Sequence, residues 1–121
     1  MRLKEKSMFG GDDLSKNLLI CDLLELYGPL LTEKQSRLLE LYYFDDLSLS
    51  EIAENEGGSR QGAMDVIKRA EKELLKMEDT LGLYNRNKQQ TKILNSVKIA
   101  LDEKNFEKIK SLLSDFEKTI N

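Results

Sequence analysis

The stretch LSLSEIAENEGGSRQGAMDVIKRAEKELL, Leu47–Leu75, decides how this chain folds. It reads as two helices around a tight corner. Ser48 and Glu51 have the S-x-x-E spacing of a capping box. In that motif the serine hydroxyl accepts from a backbone N–H of the first turn and the glutamate reaches back to the cap. The short helix so opened would bury Leu49, Ile52 and Ala53. Gly57-Gly58 offers the positive-φ freedom that a sharp helix-to-helix turn needs. Ser59 then has the chemistry of an N-cap for a second, longer helix. This is a helix-turn-helix pattern, in which the second helix would read a groove.

On that longer helix Ala63, Ile67, Ala70, Leu74, Met77 and Leu81 recur at alternating spacings of three and four, one apolar stripe. Arg60, Gln61, Asp65, Lys68 and Lys72 fall on other faces and should point outward. Upstream, Thr32 with Gln35 makes another capping box, and the helix it opens should carry Leu38, Leu39, Leu41, Tyr42 and Phe44 inward. Asp45-Asp46 forms the loop into the helix-turn-helix. A first helix, capped by Asp12 or Asp13, should run to about Tyr27. Leu14, Leu18, Cys21, Leu24 and Leu26 follow helical spacing along it, and Leu19, Leu23 and Tyr27 widen the stripe. So broad a stripe suits a helix central to the core, or one shared with a second copy. Gly28-Pro29 stops it.

Downstream, Gly82 breaks the pattern. A helix is expected near Asn87–Leu101, with Ile93, Val97 and Ala100/Leu101 aligned, then a turn at Asp102–Asn105. A last helix at Phe106–Ile120 would set Phe106, Ile109, Leu112/Leu113 and Phe116 on one side. The expectation is an all-α chain: a flexible leader at 1–11, a helix-turn-helix domain at 12–82 and a C-terminal helical hairpin at 83–121. Each hairpin helix is only amphipathic, so the pair must bury its stripe on the long helix or on another subunit.

Composition narrows the function. With 40% hydrophobic and 34% charged residues in 121, a core can form and global disorder is disfavoured. The single cysteine, Cys21, excludes an internal disulfide, fits a reducing cytosol and sits among leucines as a packing residue. There is no histidine, so the usual general base and the commonest metal ligand are missing. No phosphate-cradling glycine loop, metal-ligand spacing or nucleophile–base pair is visible. Asp45-Asp46, the one tight carboxylate pair, is accounted for by loop and cap chemistry. The expectation is therefore no enzyme, no catalytic residue, no metal or other cofactor, and no small-molecule substrate. No apolar run approaches a membrane span of about 20 residues, and no secretory h-region follows Met1–Lys6, so a cytoplasmic protein is expected. The net charge of −3 is unevenly spread: Leu14–Glu56 carries −6, Arg60–Lys76 carries +2, and the tail from Tyr84 onward +3.

Leu30 to Leu74 resembles region 4 of the bacterial sigma-70 factors. It is more similar still to the YlxM-like family of helix-turn-helix proteins. The blocks that carry this are Leu30-Leu31-Thr32-Glu33-Lys34-Gln35, then Tyr42-Tyr43-Phe44-Asp45-Asp46-Leu47-Ser48-Leu49-Ser50-Glu51-Ile52-Ala53, then Ser59-Arg60-Gln61-Gly62-Ala63-Met64-Asp65-Val66-Ile67-Lys68-Arg69. The likeness is good over Leu18 to Leu83; in the tail it rests on helical character. Members of the family are typically encoded beside the signal recognition particle GTPase. The resemblance therefore implies a sigma-70 region 4-like fold and a regulatory role in that protein-targeting pathway, with particle components as partners. Four positions depart from the family pattern: Gly58 replaces an aliphatic residue, Gly62 an alanine, Met64 a tyrosine and Val66 an asparagine.

Two functions follow from these residues. In the first, the long helix binds nucleic acid, DNA or RNA. Ser59, Arg60 and Gln61 stand at its start, where side chains reach base edges: arginine can donate to guanine and glutamine can pair with adenine. Lys68, Arg69 and Lys72 would contact phosphates, with Asp65 on the same helix. A solvated helix face explains Lys68 and Lys72 equally well. In the second, the alternative, the chain is an adaptor that docks its acidic body on the signal recognition particle GTPase, and Arg60 and Gln61 only begin a well-capped helix; the first, as a homodimer, is the expectation.

Overall fold

In the computed structural model residues 14–120 are described, so the leader at 1–11, the caps Asp12 and Asp13 and the side chain of Leu14 lie outside the described residues. Among the described residues the chain is all-α: α1 Leu14–Tyr27, α2 Glu33–Tyr43, α3 Leu49–Glu56, α4 Arg60–Leu81, α5 Leu83–Asp102 and α6 Phe106–Glu117. A 3-10 turn, Gly28–Leu30, with Pro29 in its first turn, separates α1 from α2. The chain divides into two compact units between Leu81 and Gly82.

In the first unit α4 packs against α1, α2 and α3. Its stripe Ala63, Ile67, Ala70 and Leu74 is buried as the spacing predicts, against Leu38, Leu39 and Tyr42 of α2 and Leu49, Ile52 and Ala53 of α3. Leu81 is exposed and Met77 only half-buried. At 22 residues α4 is about 33 Å long and outruns its shorter partners. Both predicted capping boxes form: Thr32 Oγ1 accepts from Gln35 N at 3.1 Å and Ser48 Oγ from Glu51 N at 3.1 Å, with the reciprocal bonds present.

Two expectations about α1 and α2 change. The buried face of α1 is Ile20, Leu23, Leu24 and Tyr27, an i, i+3, i+4, i+7 set, while Leu18 is exposed and Cys21 and Leu26 are half-buried. Leucines lie all round this helix, so apolar spacing alone could not choose the face. Phe44 does not point inward. It follows the last residue of α2 and is exposed, and Tyr43 is half-buried instead. Two tyrosines then tie the upstream helices to α4: the Tyr27 hydroxyl donates to Glu78 Oε1 at 2.7 Å and the Tyr43 hydroxyl to Glu71. Glu71 and Glu78 are seven residues apart, on one flank of α4.

In the second unit α5 begins at Leu83, four residues before the expected start. Gly82 is left-handed at φ 64° and serves both as the end of α4 and as the N-cap of α5. Lys104, at φ 57°, closes α5: Asn105 N donates to Ala100 O at 2.9 Å and Lys104 N to Leu101 O at 3.0 Å, a Schellman pair. Asn105 caps α6, its Oδ1 accepting from Lys108 N at 3.2 Å. Gln90 Nε2 donates to Thr119 Oγ1 at 2.9 Å, which fixes the two helices antiparallel. Ala100 is buried, Ile93, Val97, Ile109, Leu112 and Phe116 are half-buried, and Leu101, Phe106 and Leu113 are exposed rather than packed.

Candidate nucleic-acid interface

The corner between α3 and α4 is set by one glycine, not two. Gly57 is left-handed at φ 77° and donates to Ala53 O at 2.9 Å; Gly58 is outside the positive-φ region and donates to the same carbonyl at 3.0 Å. A Cβ at Gly58 would meet nothing within 4 Å, so a larger residue there begins in open space. Ser59 caps α4: its Oγ accepts from Gly62 N at 2.9 Å and its carbonyl from Ala63 N at 3.0 Å. A Cβ at Gly62 would lie 3.1 Å from that Oγ. The glycine gives the capping hydroxyl room.

All seven expected contact residues, Ser59, Arg60, Gln61, Asp65, Lys68, Arg69 and Lys72, are exposed. They are not one cluster. At about 100° per residue Gln61, Asp65, Lys68 and Lys72 share one face opposite the buried stripe, Arg69 lies at its edge, and Arg60 stands about a quarter-turn away. Gln61 is engaged within that face, donating to Asp65 Oδ1 at 3.0 Å. Lys76 is missing from the expected set, although it is exposed and four residues beyond Lys72. Lys68, Lys72 and Lys76 form a row in which charges recur about every 6 Å along the axis. The repeat of four was the sequence signal for it. Met64 and Val66 are half-buried on the flanks.

The neighbouring helix has the opposite sign. In a helix-turn-helix the first helix of the pair crosses the phosphate backbone. Here α3 has no lysine or arginine; Glu51 and Glu54 are exposed, and Glu56 accepts from Arg37 of α2 at 2.8 Å. That pair braces α2 against the end of α3 and raises the Arg37 pKa, first through the hydrogen bond and then through the charge of Glu56.

A family described as "Putative helix-turn-helix protein, YlxM / p13 like" matches residues 14–114, spanning both units. The chain belongs to this family. Among similar proteins, a UPF0122 protein of Symbiobacterium thermophilum is 41% identical over 80 residues, 66% of this chain and 75% of that protein. One from Clostridium botulinum is 46% identical over 82 residues, 68% of this chain and 75% of the relative. One from Listeria welshimeri is 40% identical over 97 residues, 78% of this chain and 88% of the relative. As a YlxM / p13-like protein the chain carries the helix-turn-helix in α3 and α4, and among the described residues no helix is long and apolar enough to cross a membrane.

Proposed function

We propose that this YlxM-like protein is a cytoplasmic, homodimeric regulator that binds nucleic acid, DNA or RNA, through the outer face of α4. The observation that carries the reading is the exposed row Lys68, Lys72 and Lys76 with Arg69 beside it, on a helix whose opposite stripe is buried. These cations suit phosphates, which position a ligand without reading its sequence. Base reading rests on Arg60 and Gln61 alone, and Gln61 must exchange its bond to Asp65 to do it. A role in the signal recognition particle pathway is supported by the family resemblance.

The test is a titration of labelled particle RNA and duplex DNA across salt concentrations. Four engaged cations predict a log–log slope of about −3.6 for duplex DNA. Reversing Arg60 and Lys68 to glutamate should abolish binding and leave the helical signal intact. Affinity that survives the double reversal places the contact on another face. Absence of binding to either ligand at low salt rejects the reading in favour of an adaptor on the signal recognition particle GTPase.

A further inference from the structure

The second unit does not bury enough of itself. Between Gly82 and Ile120 the only buried residue is Ala100, and α6 contributes none, whereas the first unit buries fifteen hydrophobic residues among its described residues. A pair of short helices with so little core needs a further surface to cover it. Apart from Ile99, on the far side of α5, and Ile120, beyond the end of α6, the exposed large apolar residues of the two helices fall on two flanks. On α5, Leu94 and Leu101 are seven residues apart on one flank of the Ile93–Val97–Ala100 stripe. On α6, Phe106 and Leu113 are seven apart on one flank of the Ile109–Leu112–Phe116 stripe. Each flank lies towards increasing helical angle from its stripe. Because the helices are antiparallel and both right-handed, the two flanks turn to the same side of the hairpin.

We propose that this side is the homodimer interface, closing against the same side of a second copy as a four-helix bundle with its two-fold axis across the helices. The proposal rests on the homodimer reading above and names its surface. Leu94, Leu101, Phe106 and Leu113 are 51–62% exposed. That leaves about 100 Å² on each and, with the half-buried Val97, Ile109 and Phe116, about 500 Å² per copy. Two copies reach about 1,000 Å², the lower bound for a specific interface. The edge charges select the arrangement. Lys110 and Glu117 are seven residues apart on the outer edge of α6, with opposite signs. An antiparallel α6–α6 contact centred on Leu113 sets Lys110 against Glu117 of the partner subunit, and Glu117 against Lys110 of the partner subunit. The same axis passes near Leu94 and brings Lys98 to Thr91 of the partner subunit rather than to a second lysine. Within its own helix Lys110 is 3.9 Å from Glu107, an exposed pair of small worth.

Sedimentation of the full chain reads the result without any nucleic acid. The expected mass is twice 13.9 kDa. Leu113→Glu, at the axis, should give a monomer with unchanged far-ultraviolet dichroism. Lys110→Glu and Glu117→Lys singly should each weaken dimerisation about tenfold, and the double swap should restore it. A wild-type monomer overturns both the homodimer reading and this interface. A dimer indifferent to Leu113→Glu leaves the homodimer reading standing and overturns the interface. A dimer broken by Leu113→Glu but not restored by the double swap overturns the antiparallel arrangement proposed here.

Discussion

Removing one hydroxyl, Tyr43→Phe, tests how α4 is held. Tyr43 is half-buried and its hydroxyl donates to Glu71. A hydrogen bond to a charged group contributes about 1.5–3 kcal/mol, and partial solvation of this pair argues for the lower end, about 1.5 kcal/mol near neutral pH. Burial, and then the charge of Glu71, raise the phenol above its ordinary pKa of 10.0. The sign of the pH dependence follows. Below the unfolded pKa both states hold the proton and the stabilisation is fully present. Above it the unfolded chain releases the proton while the folded one keeps it, so stability falls by about 1.4 kcal/mol per pH unit until the folded pKa is reached. The phenylalanine variant has no such proton. Its deficit of about 1.5 kcal/mol should therefore shrink to near zero by about pH 11. Urea unfolding of both proteins from about pH 8 to pH 11, followed by circular dichroism, measures this. Parallel pH profiles would refute the reasoning, because they would mean that the Tyr43 hydroxyl holds no extra proton in the fold.

Three further substitutions test backbone geometry. Gly57→Ala should cost about 1–2 kcal/mol because an L side chain resists the left-handed region, whereas Gly58→Ala, with open space and no positive φ, should stabilise by about 0.4–1 kcal/mol; urea midpoints measure both. Lys104→Gly relieves a left-handed non-glycine residue and should stabilise the hairpin by about 0.5–1 kcal/mol, visible as greater hydrogen-exchange protection in α5 and α6.

What the sequence showed plainly was local. The two capping boxes, the corner at Gly57 and the α4 stripe from Ala63 to Leu74 each depend on residues a few positions apart, and each forms, whereas the expected continuation at Met77 and Leu81 does not stay buried. The inner face of α1 was illegible because apolar residues on every side leave no period to read. The early start of α5 was hidden because Gly82, a backbone cap, carries no side-chain signal. The Tyr27–Glu78 and Tyr43–Glu71 bonds join residues 51 and 28 apart in sequence, and no spacing rule reaches that far. In the candidate site the outward side of α4 was readable from its heptad-like stripe, but the separation of Arg60 from the lysine row needed the angular position of each residue.

The glutamates of α3 give the lysine row an acidic end beside the corner. Extended towards the C-terminal end of α4, a polyanion laid along the lysines meets the exposed Asp79, three residues beyond Lys76 on the same face. Extended past the corner instead, it meets Glu51 and Glu54. Repulsion at both ends would thus set the length of the strand a bound polyanion lays on the row, before any base is touched.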